Sequence, residues 1–324
     1  MAHGNMRCAW WLLSTVYFRR KTQAMDILDY EIYTNKNEHL AAHPHFEPKV
    51  SIVVAFYNSQ RFFDIQMASL ESQTFKNFEV IICDDGSRPE VVAHVQKYMQ
   101  RARLLMHHFW HKDDGWRKVE MLNKAIVNCQ TDYLIMVDQD CVLHPEFVRE
   151  HMDAKAPNVA LAGRRVELTP WLSSLVTAER VRRGFLQTQY WWMIFFLMFK
   201  KNSQWRRAIY IKNKFLRGFL NRKTRSILGC NVSYHKADLL KINGIDMSFK
   251  ESCGAEDSDI DTRLRNAGVE IRSLCNTAVQ YHLYHPIRKF DGELPEIFAE
   301  HIRQRTVKTA KGLNLIQPAD GKNV

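Results

Sequence analysis

Short apolar runs alternate with helical segments through the first half of this chain, and that alternation limits the fold more than any other feature. The runs are VSIVVAFYN (50–58), FEVIICDDGS (78–87), LLMHHF (104–109) and YLIMVDQD (133–140). Each is short and mostly apolar, which is typical of a strand buried on both faces. Helical spacing of apolar residues fills the intervals at 62–73, 91–101 and 119–130. This order predicts an α/β fold in which helices flank a doubly wound, mostly parallel sheet.

The second half continues this pattern less regularly. A helix is expected at 145–153, one strand at 159–168, and a strand, a helix and a turn within 226–246. The segment AEDSDIDTRLRNAGVEI predicts an amphipathic helix that ends at Gly268. VQYHLYHP (279–286) would then close the sheet, and the tail from Asp291 is expected to be helical to about Ala310.

Positive charge is concentrated in one segment. The formal net charge of the 324 residues is +11, yet residues 180–225 hold 13 Lys and Arg and no Asp or Glu. Of 46 basic residues, 33 therefore remain outside that segment, against 35 acidic ones. Such a segment suits nucleic acid, anionic lipid or an anionic substrate.

The cysteines and the apolar runs bear on the compartment. Seven cysteines are scattered without a Cys-x-x-Cys pair, which argues against a zinc ribbon or a disulfide framework and favours the reducing cytoplasm. CAWWLLSTVYF near the N-terminus and YWWMIFFLMF (190–199) are each about half of the ~20 residues that a membrane-spanning helix needs. Met25 is an alternative start, in which case residues 1–24 do not belong to the native protein.

Two carboxylates, Asp138 and Asp140, stand one residue apart where the fourth apolar run ends. Ligands of open parallel sheets bind at the carboxyl ends of the strands. Carboxylate oxygens suit a hard cation such as Mg²⁺ or Mn²⁺, which in turn holds phosphates. A solvated turn is the alternative interpretation of this short motif.

Four motifs taken together give the chain a family resemblance. They are VSIVVAFYN, SLESQTFKNFEVIICDDGS, VDQD and GAEDSDIDTRLRNAG. In this order, over about residues 50–286, the chain resembles a family 2 glycosyltransferase of the GT-A fold, with a galactosyltransferase-like C-terminal motif. The resemblance implies a nucleotide-sugar donor and a Mn²⁺ or Mg²⁺ cofactor.

The first motifs correspond to the donor pocket of that family. The resemblance implies that Asp85 accepts an N–H of the donor base and that Ala55 and Tyr57 line the base pocket. Ala55 departs from relatives, which often carry Pro or Thr at this position. By the residues alone, Asp84 and Asp85 could instead cap the following helix.

The segment DDGWRKVEMLNKAI suits a diphosphate, since cationic side chains and helix N–H groups both attract anions. Arg117 occupies the position of a phosphate-contacting arginine in the family, and Lys118 is either a second contact or part of a solvated helix face. Asp113 and Asp114 are expected to cap the helix. Gly229, in GCNVSY, resembles the family's small-residue strand beside the donor sugar.

The resemblance also assigns the metal ligands. It implies that Asp140 contacts the cation and that Asp138 contacts the ribose or a metal-bound water. A histidine at the end of the last strand commonly adds a further ligand in the family. The pattern AVQYH favours His282 for this role over His285.

The proposed catalytic pair is Glu256 and Asp257, at the start of the amphipathic helix. Inverting transfer needs a carboxylate that takes the acceptor hydroxyl proton. The resemblance implies that Asp257 is this base and that Glu256 orients the acceptor or the donor. Compensation of the helix dipole is the structural alternative for both. Asp259 and Asp261 are expected to be exposed or paired with Arg263 and Arg265.

The basic segment 180–225 also carries many aromatic residues, which predicts a basic aromatic helical insert. Apolar faces flanked by Lys and Arg are typical of helices that lie on anionic membranes. A helical subdomain or dimer contact is the second interpretation. Single-stranded nucleic acid is the third and is disfavoured, because no nucleic-acid-binding fold is recognisable. Trp171, Trp191 and Trp192 could stack on sugars or pack in a core.

The sequence therefore predicts an inverting glycosyltransferase that moves a sugar from UDP-hexose, with galactose-type sugars favoured, to a glycan or lipid-linked acceptor. We expect four parts: an N-terminal extension (1–47), a nucleotide-sugar-binding half (48–145), an acceptor-binding and catalytic half (146–290), and a C-terminal helical tail (291–324). The protein would be peripheral on the cytoplasmic face of a membrane. A non-catalytic glycan- or membrane-binding module and a sugar nucleotidyltransferase are the alternatives, although AFYNSQRFF lacks the glycines that a nucleotidyltransferase carries there.

Overall fold

A computed structural model describes residues 29–199, 204–222, 225–250, 255–286 and 295–319. The apolar run near the N-terminus and Met25 lie outside the described residues. In chain order the strands are β1 (Glu31–Thr34), β2 (Val50–Phe56), β3 (Phe78–Asp84), β4 (Leu105–Trp110), β5 (Tyr133–Asp138), β6 (Cys141–Leu143), β7 (Val159–Ala162), β8 (Arg164–Glu167), β9 (Asn231–His235), β10 (Glu270–Ser273) and β11 (Val279–His282).

Thirteen α-helices are described. They are α1 (Lys36–Ala42), α2 (Gln60–Glu71), α3 (Pro89–Met99), α4 (Lys118–Asn128), α5 (Phe147–Ala154), α6 (Pro170–Leu175), α7 (Ala178–Arg182), α8 (Phe185–Thr188), α9 (Tyr190–Met198), α10 (Lys214–Leu220), α11 (Lys236–Lys241), α12 (Ala255–Asn266) and α13 (Glu296–Gln304). Short 3₁₀ turns cover Trp205–Ala208 and Leu313–Leu315.

Eight strands form the central sheet, in the order β1-β4-β3-β2-β5-β9-β7-β10. The four central neighbours β4, β3, β2 and β5 are parallel, as are β7 and β10. Strand β9 runs antiparallel to both of its neighbours, and β1 adds an antiparallel edge that the sequence pattern did not predict. The predicted α/β architecture with a mostly parallel sheet and flanking helices is confirmed.

Alternate side chains of each central strand serve two separate cores. In β2, Val53 and Ala55 belong to the cluster that includes α4, α11 and α12. Ile52 and Val54 belong to the cluster on the opposite face, with α2, α3 and α5. Because successive side chains of a strand point to opposite faces, a strand covered on both faces must be apolar throughout. The uninterrupted apolar runs of the sequence therefore have a direct structural cause.

A second, three-stranded sheet corrects two predictions. The predicted single strand 159–168 is divided at Gly163 into β7 of the large sheet and β8 of the small one. A side chain at position 163 would overlap Asn231, whose amide donates to the carbonyl of Arg164 at 2.9 Å. Strand β11, which was expected to close the main sheet, pairs instead with β6 and β8. Gly163 and Asn231 thus mark the point where the chain changes sheets.

The insert is helical, as expected, and its buried residues form a third cluster around the small sheet. Arg182 anchors it to the central body through Glu71, at 2.6 Å. Large apolar side chains nevertheless stay exposed on α9, at its C-cap and on α10, among them Trp191, Phe195, Phe199, Phe215 and Phe219. Within the described segments, every helix is too short or too polar to cross a bilayer.

The C-terminal tail is shorter in helix than predicted. Helix α13 ends at Gln304, and Arg305 follows in the left-handed region with φ of 50°. His301 of this helix lies with Nδ1 2.6 Å from Oδ1 of Asp259, which is buried and also paired with Arg263. The C-terminal tail is therefore attached to α12 by a buried polar contact between His301 and Asp259.

Candidate active site

The carboxyl ends of β2, β3 and β5 lie side by side. Ala55 is in register with Asp138, and Phe56 is in register with Asp84. The polar residues that follow these strands therefore meet at one edge of the sheet, as parallel pairing requires.

Lys118 lies at the centre of this edge. Its ammonium donates to Oδ1 of Asp138 at 2.8 Å. Burial alone would lower the pKa of Lys118, but the negative charges of Asp138, Asp257 and Glu256 raise it. Lys118 therefore stays protonated, with its ammonium bound to Asp138 and within electrostatic range of Asp257 and Glu256. The alternative interpretation of Lys118, as part of a solvated helix face, is therefore wrong.

Asp257 reaches the same place from the start of α12. Its Oδ2 accepts a hydrogen bond from the backbone N–H of Gly229 at 2.7 Å. A Cβ atom at position 229 would clash with the other carboxylate oxygen, so this approach requires glycine. Burial and the neighbouring charge of Glu256 raise the pKa of Asp257 to about 6, although Lys118 opposes the shift. Such a carboxyl can both accept and release a proton near neutral pH.

Glu256 is buried beside Asp257, and its Oε2 has no hydrogen-bond partner among the described residues. Together with Lys118, Asp138 and Gly229, these two residues line an interior cavity of about 20 Å³. That volume has room for water but not for a sugar. The carboxylates consequently face a small cavity whose remaining lining is mostly apolar, with Val119, Met136 and Ile260 among its residues.

A second cluster lies where β11 ends. Ligand atoms of Asp140, His282 and His285 all fall within 4.8 Å of one another. Oδ2 of Asp140 lies 3.3 Å from Nε2 of His282 and 2.9 Å from Nε2 of His285. Both candidate histidines are thus brought to Asp140, whereas Asp138 lies outside this group and is paired with Lys118.

Glu167, at the end of β8, orients His282. Its Oε2 lies 2.6 Å from Nδ1 of the ring, which leaves Nε2 directed at Asp140. A carboxylate behind a histidine in this way fixes the ring and increases its basicity as a metal ligand. One carboxylate oxygen and two imidazole nitrogens are a donor set that can hold a divalent metal ion.

The charges of this cluster favour a cation. Burial alone would raise the pKa of Asp140, but contacts with His282 and His285 lower it far below its usual range. Burial alone would lower the pKa of His282, but its contacts with Asp140 and Glu167 raise it to about 9. The carboxylates thus stabilise positive charge at this point, whether imidazole protons or a metal ion carry it.

Other predicted donor residues are already engaged. Asp85 is 8% exposed and accepts from the backbone N–H of Arg117, at 3.0 Å from Oδ2, while Oδ1 lies 2.9 Å from Nε2 of His111. The guanidinium of Arg117 is paired with Glu120 and Asp29 rather than directed at Asp138. Lys118 is therefore the cation that the structure brings to the carboxylates.

Tyr57 is half exposed at the end of β2, and its hydroxyl donates to Oδ2 of Asp113 at 3.0 Å. Asp113 and Asp114 were expected to cap α4, but Arg117 is at the N-cap and no side chain caps this helix. The pairing predicted for Asp261 is present, with Arg265 at 2.8 Å.

Two contributors were missed by the sequence analysis. Gln139, between the two aspartates, accepts from the N–H of Tyr57 at 3.2 Å and donates to its carbonyl at 2.9 Å. Glu167 is the other. Only its place at the end of an apolar strand hinted at a role, and that strand was predicted to lie in the wrong sheet.

Comparison with curated proteins gives partial matches. The chain is 32% identical to Protein CgeD of Bacillus subtilis (strain 168) over 102 residues, which cover 30% of this chain and 24% of CgeD. It is 29% identical to chondroitin synthase of Pasteurella multocida (strain Pm70) over 126 residues, which cover 38% of this chain and 13% of the synthase. The matched stretch therefore spans a quarter or less of each of these relatives.

Solved structures share the fold. The mannosyltransferase PcManGT of Pyrobaculum calidifontis, in complex with GDP-Man and Mn²⁺, superposes with a TM-score of 0.50 at 15% identity, covering 82% of this chain and 70% of that one. Residues 1–349 of S. aureus TarS, in complex with UDP-GlcNAc, also give a TM-score of 0.50, at 19% identity and with 79% and 65% covered. These neighbours are GT-A glycosyltransferases.

Two family models match the sequence itself. The one described as the N-terminal domain of galactosyltransferase matches residues 218–286, which include Gly229, Asp257, His282 and His285. The one described as glycosyl transferase family 2 matches residues 51–227, which is more than half of the chain. The predicted resemblance is confirmed on both counts, and the chain belongs to glycosyl transferase family 2.

Proposed function

We propose that this protein is an inverting, metal-dependent glycosyltransferase that uses a nucleoside-diphosphate sugar and a hydroxyl of a glycan or lipid-linked acceptor. The observation that carries the proposal is that Asp138, Lys118 and Asp257 meet at the carboxyl ends of the strands. Beside them lies the metal-type cluster, which is the group formed by Asp140, His282 and His285. Residues 48–145 would hold the donor, and residues 146–290 would hold the acceptor and the base.

In the proposed reaction, Asp257 takes the proton of the acceptor hydroxyl. The oxygen forms a bond to the anomeric carbon while the bond from that carbon to the diphosphate oxygen breaks. The electron pair of the broken bond leaves with the nucleoside diphosphate, and the anomeric configuration inverts. The hydrogen bond from Gly229 to Oδ2 orients the carboxylate of Asp257, and the proton goes to a lone pair that this bond does not use.

Lys118 and Asp138 set the charge around the leaving group. A protonated lysine at this edge attracts the diphosphate and offsets the negative charge that grows on it. Its contact with Asp138 fixes the ammonium in place before a ligand arrives. Glu256, buried with one oxygen unpartnered among the described residues, is suited to accept a hydroxyl of the donor or acceptor sugar.

Asp140, His282 and His285 would hold the metal ion. A divalent cation there supplies Lewis-acid assistance to the departure of the diphosphate. Two imidazole nitrogens favour Mn²⁺ over Mg²⁺, since Mg²⁺ prefers a shell of oxygen atoms. The complex of PcManGT with Mn²⁺ supports this choice by analogy of fold.

The donor is proposed to be a UDP-hexose, with galactose-type sugars favoured. The match of residues 218–286 to a galactosyltransferase domain supports the galactose preference. The complex of TarS with UDP-GlcNAc supports uridine as the base by analogy of fold.

The acceptor side of the site adjoins the aromatic surface of the insert. Ser173 of α6 accepts from the N–H of Tyr284, next to the metal-type cluster, at 3.0 Å. Trp171 of the same helix packs against Trp192 and Phe196 of α9, with ring centroids 5.4 and 5.0 Å apart. We propose that this surface lies on an anionic membrane and presents the site to an acceptor carried there.

The test combines donor binding with donor hydrolysis. Wild-type protein should be stabilised by UDP-galactose in Mn²⁺, because a ligand that binds only the folded state raises the melting temperature. UDP-glucose, UDP-GlcNAc and GDP-mannose complete the panel. Wild-type protein should also release UDP slowly without acceptor, and EDTA or Asp140→Ala should abolish that release. Asp153→Ala, which removes an exposed aspartate of α5, is the matched control and should behave as wild type.

Two outcomes would replace the proposal. Donor binding without turnover towards any acceptor, together with full tolerance of Asp140→Ala, would indicate a non-catalytic binding module. Release of pyrophosphate from UTP and a sugar phosphate would indicate a nucleotidyltransferase.

A further inference from the structure

An arginine-lined cleft lies between the 3₁₀ turn Trp205–Ala208, Arg225 and the residues Cys275 and Asn276 that follow β10. It has a volume of about 360 Å³ and is lined by Arg206, Arg207 and Arg225, together with Trp205 and Asn276. Strand β8 begins beside it with Arg164, three residues before Glu167. The cleft and the transfer site therefore occupy opposite ends of the same strand.

The three arginines that line this cleft, and Arg164 near them, lack acidic partners in the part of the chain that the structure describes. Among the described residues, Arg164, Arg206, Arg207 and Arg225 form no ion pair with a carboxylate. The next residue, Arg165, is paired with Glu167 at 2.8 Å. Burial, with the nearby charges of Arg207 and Arg225, lowers the pKa of Arg164. Guanidinium groups remain charged in proteins, so these side chains repel one another at close range.

The cleft is held in shape by backbone contacts. The side-chain amide of Asn276 donates to the carbonyl of Ile209 at 2.9 Å, and the backbone carbonyl of Asn276 accepts from the N–H of Ile211 at 2.9 Å. Ala208, next to Arg207, is fully buried in the cluster around the small sheet. Arg206 lies over the ring of Trp205, 5.5 Å from its centroid. The backbone that carries Arg206 and Arg207 is thus held by hydrogen bonds and by the burial of Ala208. This reduces the entropy cost of ordering the two side chains around a ligand.

We propose that this cleft binds a phosphate ester, distinct from the diphosphate at the transfer site. Several guanidinium groups offer the paired N–H donors that match phosphate oxygens. A bound dianion would relieve the repulsion between Arg164, Arg207 and Arg225. Trp205 gives an apolar wall for the carbon skeleton that carries the phosphate. The ester is either a phosphorylated soluble sugar or a lipid headgroup.

The experiment measures binding without a nucleotide sugar, so it is independent of the proposed transfer reaction. Glycerol 3-phosphate is titrated calorimetrically into the full chain in EDTA, which keeps metal-bound phosphate from contributing. The double variant Arg207→Gln/Arg225→Gln should bind about a hundredfold more weakly, at about tenfold for each charge-assisted contact. Arg222→Gln is the matched control, because Arg222 is exposed in the same segment and lies over Phe219 rather than in the cleft. Melting curves check that each variant is folded.

The source of the phosphate is identified by competition. Vesicles of phosphatidylcholine that contain phosphatidic acid are added to protein loaded with glycerol 3-phosphate. If the vesicles displace glycerol 3-phosphate from the wild type and this displacement is lost in the double variant, the ligand of the cleft is a lipid headgroup. If glycerol 3-phosphate binds and the vesicles do not displace it, the ligand is a soluble ester. Absence of saturable binding to both probes would overturn the proposal. Equal weakening by Arg222→Gln would also overturn it, because the binding would then be non-specific attraction.

Discussion

The strand-end site and the aromatic insert differ in how far their side chains find partners within the fold. At the site, buried charges are matched inside the fold: Lys118 with Asp138, and Asp140 with two histidines. In the insert, Phe199 is 74% exposed and Phe215 is 87% exposed. Arg182, Arg183 and Arg217 of the insert are paired with Glu71, Glu179 and Glu150. Among the described residues, Arg206, Arg207 and Arg225 have no carboxylate partner.

This difference separates two kinds of incompleteness. At the site, most of the charged groups have a partner inside the fold, and the carboxylates that lack one face the place proposed for the ligands. The insert leaves exposed rings and several arginines without a partner among the described residues, and these would be covered and neutralised only by a partner of the protein. Disruption of the site should therefore change turnover and metal affinity, and disruption of the insert should change association.

The largest effect is expected from Asp257→Asn. The change keeps the size of the side chain but removes the proton acceptor, so kcat should fall by about a hundredfold or more. Donor affinity should change little, because the base acts on the acceptor. Steady-state kinetics and donor titration check this. Asp261→Asn, one turn along the same helix, is the control and should retain activity.

The same variant gives a pH signature. Burial raises the pKa of Asp257 to about 6, so the base is deprotonated and active above that pH. The kcat of the wild type should fall as the pH drops below about 6, and Asp257→Asn should lack this acidic limb. Loss of UDP binding with turnover intact would instead make Asp257 a donor ligand.

A smaller effect is expected from Glu167→Gln. The neutral amide can still accept from the ring of His282 but lacks the charge that increases the basicity of the ring, so Mn²⁺ affinity should fall by about 10- to 100-fold. Electron paramagnetic resonance titration of Mn²⁺ measures the affinity, and saturating Mn²⁺ should restore most of the kcat. Glu179→Gln is the control, because that exposed glutamate is paired only with Arg183 among the described residues. Unchanged Mn²⁺ affinity would remove His282 from the metal site.

The smallest effect is expected from Phe195→Ser with Phe199→Ser. Partial insertion of two rings stabilises membrane association by about 1–2 kcal/mol, so partition to anionic vesicles should weaken by about tenfold. Activity on a soluble acceptor should persist. Leu315→Ser removes an apolar side chain that is 56% exposed outside the insert and is the control. A change of oligomeric state in sedimentation, with vesicle binding unaltered, would make the insert a dimer contact.

The features predicted best from the sequence are those that a short local pattern determines, namely the ends of strands and the starts of helices. Asp138 and Asp140 follow a buried apolar run, so their place at a strand end could be read directly from the order of residues. The same holds for the start of α12 and for its carboxylates. The helical nature of the insert followed from composition, but its exposed rings could be recognised only once the packing of its other side was known.

What the sequence did not predict depends on contacts between distant segments. The orientation of Arg117 towards Asp29 depends on the N-terminal segment, which no motif located. Glu167 could be linked to His282 only after β8 and β11 were seen to pair in a second sheet. The break at Gly163 arises from the side chain of Asn231, 68 residues later in the chain.

The contact between Gly229 and Asp257 has a consequence for how this chain can change. Any side chain at position 229 displaces the carboxylate at position 257, so the two positions are free to vary only together. Among active homologues that carry aspartate at 257, position 229 should be invariant. In a library that randomises both codons, glycine at 229 should be recovered wherever aspartate at 257 is selected, and other residues should be tolerated at 229 once that aspartate is lost.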